Sequence, residues 1–536
     1  MADVAASPGL VRRAPTDAPI AGVDIPWAFV FLGFGGMVIG QFMALLDIQI
    51  VAASLAQIQA GVGASADEIA WVQTIYLLAE VVVMPLTAYL TRMWGTRPFF
   101  MGVCAAFVVS SVLVGLTNDI WSMIAMRAVQ GLAAGAMIPV VFATAMSVFP
   151  EDKRITANVI VGLIVTLAPT IGPTLGGHLT EALSWRWLFF MNIPFGLLAI
   201  FLVWRWGDFD RGDPTLGKGI DWWGVGLLTV GLLAMQYVFE EGAEESWFQD
   251  DTILWLTVIA VFALAAFLWR QLAYRQPIIR LTPFRDRNFA LGSVMNFVTG
   301  MSLFGGSFIL PLFLAQIRGY SAAEVGTTMA VSGGVMFVMA PVSGRVVRAF
   351  DPRVAMFVGF AVTAYGMGLG VRVTEDWGFW QFAVLQAIRG AGIMVAMIAA
   401  NQLAISTMPV ALMKDASALI NLIRNVGGAV GLALLSTELT TQRAYHFNDL
   451  TAGVPLSSPS GQAMLAGLTE RMRALGVADP DGAAMKAFGG MLQRQAGVLA
   501  YGDAFGLLAM GCVIAAILAL FAAPPKNASP SGGGGH

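Results

Sequence analysis

Fourteen apolar runs of about twenty residues, strung between short charged connections, leave this chain few ways to fold. They fall near residues 27–53, 66–90, 99–117, 121–148, 155–182, 187–206, 221–240, 252–274, 288–317, 321–348, 354–373, 378–407, 416–441 and 500–523. A helix of that length crosses the hydrocarbon core of a bilayer. Inside lipid every backbone polar group must find a partner within the protein, so spanning segments of this kind are helices. The expected fold is therefore an all-α membrane protein with fourteen transmembrane helices. Composition agrees: 57% of residues are hydrophobic and 12% are charged, against roughly 25% charged in soluble domains. The net charge of -3 offers no basic face for nucleic acid. Cys104 and Cys512 both lie within apolar runs, so no disulfide framework is expected. His178, His446 and His536 show no metal-ligand spacing, and no cofactor or metal site is expected.

The loops orient the chain. Arg92, Arg97, Lys153, Arg154, Arg211, Arg348 and Arg353 share one side, whereas Arg186, Arg318, Arg372 and an acidic turn at 240–251 lie on the other. The excess of Lys and Arg marks the cytoplasmic side, which places both termini there. Residues 1–24 read as a disordered tail and not as a cleavable signal, and residues 525–536 as a C-terminal tail. The long connection at 442–499 is external, with helix-like pieces around 461–475 and 482–500.

Two stretches match at a constant offset. In PLTAYLTRMWGTR and PVSGRVVRAFDPR, Pro85 pairs with Pro341, Arg92 with Arg348 and Arg97 with Arg353, each 256 residues apart. RAVQG from Arg127 and QAIRG from Gln386 repeat at 259. Duplicated halves are typical of transporters that rock around a central site. Residues 25–208 and 281–524 thus form two six-helix halves, with two helices inserted between them at 209–280.

Ionisable residues inside a span are costly and mark function. Asp47 ends the first run in LLDIQI, on a face with Gly36, Gly40 and Met43. Arg127 lies in the fourth run, and Arg389 and Arg424 lie further along the chain. Gln73, Tyr76, Glu80 and Thr87 form a polar stripe at helical spacing, expected to wall a water-accessible cavity. Glu80 suits either substrate binding or proton carriage, and Met43 adds a flexible apolar contact to that cavity. In LAPTIGPTLGG, Pro169 and Pro173 would weaken a soluble helix, while Gly172, Gly176 and Gly177 permit another backbone to come close. That approach is expected between the two halves.

Along most of its length the chain resembles the EmrB-type (EmrB/QacA) fourteen-helix drug:proton antiporters of the major facilitator superfamily. The resemblance rests on LLDIQI, WVQTIYLLAEVVVMPLTAYL, MRAVQGLAAGAMIP, LAPTIGPTLGG, WRWLFFMNIPFG, DWWGVGLL and NLIRNVGGAVGLAL. It implies that Pro169, Gly172, Pro173, Gly176 and Gly177 are the antiporter motif, and that Arg127 partners Asp47 in proton coupling. It further implies gating or structural roles for Arg92, Gly95, Arg97, Arg348, Arg389, Asn421 and Arg424. The family has an acidic residue where this chain has Arg92, which weakens the gating salt bridge that the signature would imply. The expected function is proton-driven export of hydrophobic or amphipathic compounds from a multi-pass position in the bacterial inner membrane. The resemblance also implies a periplasmic adaptor of EmrA type and an outer-membrane channel of TolC type. No G-x-x-x-x-G-K-[ST] loop is present, so ATP is not the expected energy source, and no nucleophile–base set points to an enzyme. A narrow-substrate metabolite exporter, a proton-coupled importer and a non-transporting scaffold or receptor are the alternatives.

Overall fold

The structure is a computed structural model that describes residues 27–243, 245–274, 276–320, 322–453 and 458–523. The tails expected at 1–24 and 525–536 lie outside the described residues. The first half comprises α1 (Trp27–Ala53), α2 (Leu55–Val62), α3 (Ala66–Val83), α4 (Thr87–Trp94), α5 (Thr96–Leu116), α6 (Ile120–Ser147), α7 (Glu151–Ala182), α8 (Trp187–Phe190) and α9 (Asn192–Trp206). An inserted hairpin follows, α10 (Trp222–Glu241) and α11 (Asp251–Ala273). The second half is α12 (Arg287–Gln316), α13 (Ala322–Ala349), α14 (Pro352–Leu369), α15 (Phe379–Ile405), α16 (Met413–Gly453), α17 (Pro459–Ala474) and α18 (Pro480–Ala519).

Among the described residues, 13 helical segments are long and apolar enough to cross a membrane. One of them is bent: α3 and α4 are joined through a 3₁₀ turn at Met84–Leu86, where Pro85 can supply no backbone donor to an α-helical ladder. The remaining long helix is α7, with 32 residues, which runs without a break through Pro169 and Pro173 and packs between α1 and α13. Helix starts are set by acidic caps. Asp221, Asp250, Asp286, Asp351 and Asp479 each accept a backbone N–H of the first turn, which satisfies donors that a helix leaves unpaired. Asp221 also accepts Arg270 Nε at 2.6 and 2.8 Å and so ties α10 to α11.

The repeat is visible in three dimensions. A Cβ on Gly131 of α6 would run into the Tyr76 backbone of α3, and one on Gly390 of α15 would run into the Ser332 backbone of α13. Gly131 and Gly390 differ by 259, and Tyr76 and Ser332 by 256, the two offsets found between the sequence motifs. Small residues allow these backbones to meet, because van der Waals contact must replace the hydrophobic drive that lipid removes.

Two expectations are corrected here. The apolar run at 416–441 does not stop at the membrane: α16 continues to Gly453 and has 41 residues, about 60 Å at 1.5 Å per residue. The final span likewise starts earlier than 500, because α18 runs unbroken from Pro480 for 40 residues. Both helices are about twice as long as the hydrocarbon core requires. The 442–499 connection is therefore largely a helical projection and not a loop. α17 packs on α18, and Gly461 of α17 and Ala484 and Phe488 of α18 are buried.

Replacing Gly135 by Leu tests the glycine contacts. A Cβ there would stand 2.7 Å from Glu80 Cα and 2.8 Å from its carbonyl carbon, and backbone cannot rotate away as a side chain can. Thermal unfolding of purified protein is expected to show a loss of about 1–3 kcal/mol. Gly102→Leu on α5, where nothing lies within 4 Å, should leave the transition unchanged.

Candidate functional site

Asp47 is fully buried. It lies in the last two turns of α1, and three other helices converge on it. Arg127 of α6 forms an ion pair with Asp47 Oδ2. Oδ1 accepts Asn192 Nδ2 of α9 at 2.9 Å and Gln130 Nε2 of α6 at 3.1 Å. Ser111 of α5 accepts from the same two amides, at 3.2 Å from Asn192 and 2.7 Å from Gln130. The guanidinium is held in turn by the Val72 carbonyl (3.1 Å from Nε) and by Gln130 Oε1 (2.8 Å). It lies over the Tyr76 ring at 4.2 Å, a favourable place for a desolvated cation. Tyr76 donates its hydroxyl proton to the Ala44 carbonyl at 3.1 Å, which ties α3 back to α1.

Both carboxylate oxygens are thus satisfied by donors. The Arg127 charge offsets that of Asp47, which burial without a partner would make very costly. A proton arriving on Asp47 would remove that balance and leave Arg127 with neutral partners only. The network can therefore couple a protonation state to the packing of α1 on α6 and α9. Gln130, Asn192 and Ser111 escape notice in the sequence because neutral polar residues do not stand out in apolar runs. The signals were Gln130 one turn beyond Arg127, and Asn192 inside the NIPFG run.

The cavity residues read from the sequence do not share one wall. Tyr76 belongs to the Asp47 network, Met43 is buried against Gly196 of α9, and Gln73 is half-buried. Thr87 donates to the Met84 carbonyl of its own chain segment at 2.6 Å. Of that set, Glu80 faces the other half. It is 4% exposed, with Oε1 3.5 Å from Asn425 Nδ2 of α16 and no partner on Oε2.

The glycines of LAPTIGPTLGG also act elsewhere than expected. A Cβ on Gly172 would meet Gln49 Cβ at 2.5 Å, and one on Gly176 would meet the Ile50 carbonyl at 2.9 Å. Both therefore bring α7 onto α1 inside the first half, and not onto the second half. Gly177 has open space. The cross-half contact of α7 comes earlier in the helix, at Gly162 beside Met394 and at Val159 and Ile155 beside Gly344.

At the arginine-rich end, Arg92 forms an ion pair with Asp415 of α16. The exchange of an acid for Arg92 therefore does not leave this position without an ion pair, because its charge finds a carboxylate on the other half. Arg348 NH2 donates to Thr156 Oγ1 of α7 at 2.7 Å. Arg92 and Arg348 are repeat mates at 256, and Thr156 and Asp415 at 259. Lys414 pairs with Asp210, which also accepts Thr96 N at 2.7 Å. Gly95 has φ +86° and faces Gly212 N, which excludes a side chain. Arg97 donates to the Trp204 carbonyl. Asn421 donates to the Ser417 carbonyl at 2.8 Å.

The second half carries a partial copy of the Asp47 site. Arg389 and Gln386 occupy the places of Gln130 and Arg127, with the two residue types exchanged, and Gly306 lies 259 residues beyond Asp47. A Cβ on Gly306 would collide with the Arg389 guanidinium. Arg389 is satisfied by Gln386 Oε1 at 2.9 Å, Ser332 Oγ at 3.0 Å and the Ser302 carbonyl at 3.4 Å. Among the described residues no group of three or more His, Cys, Asp and Glu could hold a metal.

Residues 37–432 match the profile of the Major Facilitator Superfamily. The chain belongs to that superfamily. It is 34% identical over 436 residues to the Colistin resistance protein EmrB of Acinetobacter baumannii, covering 80% of this chain and 84% of that one. It is 28% identical over 501 residues to the Multidrug export protein EmrB of Escherichia coli, covering 93% and 96%. The crystal structure of the human organic anion transporter MFSD10 superposes with a TM-score of 0.57 at 10% identity over 92% of this chain and 100% of that one, a likeness of fold alone. Within the superfamily this is an EmrB-type transporter, a multi-pass protein of the bacterial inner membrane and not an enzyme.

A double-mutant cycle tests the central pair. Asp47→Asn and Arg127→Met should each destabilise the protein by about 3–5 kcal/mol, since each leaves a buried group without its partner. The double variant should lose less than the sum, with a coupling energy of at least about 1.5 kcal/mol by thermal unfolding. Strict additivity would mean that the two charges do not support each other.

Proposed function

We propose that this transporter exports hydrophobic or amphipathic small molecules from the cytoplasm in exchange for protons. The observation that carries the reading is the enclosed Asp47, bonded on both oxygens and paired with Arg127 within one half. A proton gradient supplies about 2.3 kcal/mol per charge for each 100 mV. Protonation of Asp47 releases the charge contact that holds α1 against α6. α1 carries Gln49 and Ile50, which bear on Gly172 and Gly176 of α7, and α7 meets the second half at Met394 and Gly344. Neutralising one carboxylate thereby biases how the two halves meet. The arginine-rich end is the cytoplasmic end by the excess of basic residues there. Arg92–Asp415, Lys414–Asp210 and Arg348–Thr156 hold that end shut. The names of the EmrB relatives support drug-like substrates, and no cofactor is needed.

Reconstituted vesicles test this reading. With an imposed pH gradient, wild-type protein is expected to show substrate-dependent proton flux. Asp47→Asn should reduce that flux by at least about a hundredfold, the scale of losing one group that acts only in the coupled step. Unchanged flux in a well-folded Asp47→Asn protein would remove Asp47 from the mechanism.

The projection of α16, α17 and α18 serves in this reading as the seat of the EmrA-type adaptor, which leads to a TolC-type channel. α17 leans on α18 and leaves Met464, Met485 and Met491 exposed. Replacing residues 455–495 by a short Gly/Ser linker should leave vesicle transport intact and abolish co-purification with the adaptor. Co-purification that persists would move the contact to another part of the outer surface.

A further inference from the structure

Arg424 differs from every other buried arginine in the described bundle. Arg127 has Asp47, and Arg389 is enclosed by Gln386, Ser302 and Ser332 of its own half. Arg424 is 5% exposed, and among the described residues no carboxylate stands within ion-pair reach. NH2 donates to Asn296 Oδ1 of α12 and Asn401 Oδ1 of α15, both at 2.7 Å. Nε has no partner at all. Asn296 is fixed by donating its own amide to the Gly292 carbonyl at 2.9 Å. A buried guanidinium held by two neutral amide oxygens, with an N–H left over, has the donors that an anion would accept.

Its cover comes from the opposite half. The Phe142 ring of α6 lies 5.4 Å from Arg424 Cζ, whereas Asn296 and Asn401 belong to the second half. When the halves part, Phe142 leaves with α6 and the guanidinium faces the opening. A small cleft at this seam is lined by Phe142, Met146, Asn401, Ile405, Ser417, Ile420 and Asn421, and so shares Phe142 and Asn401 with the surroundings of Arg424. Four of those seven residues are apolar. An occupant that reached from this cleft to Arg424 once Phe142 had moved would carry one compact anionic group for the guanidinium and an apolar body for the cleft.

We infer that Arg424, with Asn296 and Asn401, forms the anion-reading end of the substrate site, and that the site takes amphipathic carboxylates. Guanidinium and carboxylate match in two parallel hydrogen bonds, and the free Nε supplies one of the donors. Phe142 and the carboxylate compete for the guanidinium, so the ligand is taken up as the seam opens and is displaced as it closes. This rests on the export reading for the ligand's route, but binding itself needs no gradient. A failure of proton coupling would therefore leave the binding result intact.

The test uses full-length protein in phosphatidylcholine nanodiscs with laurate as the anionic probe and dodecyltrimethylammonium as its cationic counterpart. Arg424→Gln should weaken laurate binding by at least about tenfold and leave the cationic probe within about twofold. Arg424→Lys should recover part of the loss, since the charge returns without the fork. Glu80→Gln should not weaken laurate. If Arg424→Gln does not fold, Ile420→Trp keeps the arginine and fills the cleft, and it should abolish laurate binding. Equal laurate affinity in Arg424→Gln, or laurate retained by a folded Ile420→Trp, would overturn the proposal. Displacement of laurate from wild-type protein by added phosphatidylglycerol would also overturn it, by giving the site to a lipid headgroup.

Discussion

One ion pair, sealed from water and lipid, sets the arrangement of the first half. Asp47 and Arg127 are each fully buried, and a charge in that setting is costly unless it is paired. Asn192 and Gln130 supply the remaining bonds to the carboxylate and Ser111 fixes both amides, so four helices must meet at one point within hydrogen-bond distances. Tyr76 and the Val72 carbonyl bring α3 to the same place. Gly131 and Gly135 follow from that demand, because α6 can reach α3 only where no side chain intervenes. The chemistry and the packing share one cause.

The second half shows what the same scaffold does when the carboxylate is absent. Gly306, 259 residues beyond Asp47, leaves its space to the Arg389 guanidinium. Serine and glutamine oxygens then suffice as partners, because nothing on that side must change charge. The duplication thus preserved helix geometry and divided the labour. One half keeps a group whose charge a proton can cancel. The other keeps fixed positive charge, on Arg389 inside its core and on Arg424 at the seam.

Much of this was legible beforehand, and the reasons are physical. Hydrocarbon thickness fixes run lengths, so the fourteen helices could be counted from composition along the chain. Charges in lipid are rare, so Asp47, Glu80 and Arg127 stood out singly. The offsets at 256 and 259 survived because they fall on loop arginines and on a glycine contact. What the sequence hides is partnership. Gly172 and Gly176 announce a close approach but do not say to which helix, and the answer is α1. Arg92 looked like a lost acid until Asp415 was seen opposite it. Nothing in the residues 442–453 tells a reader that α16 continues, since a helix outside the bilayer needs no apolar run.

The closed end and the buried pair must differ in strength for the transporter to turn over. At the closed end, Arg92 and Asp415 share one contact, and Arg92 Nε and Asp415 Oδ1 have no partner. The mate of that contact joins Arg348 to Thr156 of α7, so each half contributes an arginine to this end. Lys414–Asp210 is partly exposed on both sides, which limits its worth. Under the proposed proton exchange, these contacts are the ones to be broken within the few kcal/mol that one proton crossing the membrane provides. The Asp47 network cannot be opened in the same way, since both carboxylate oxygens are bonded and water is excluded. Under the proposed proton exchange it yields when its charge is removed, and that difference is what lets a proton decide which end opens.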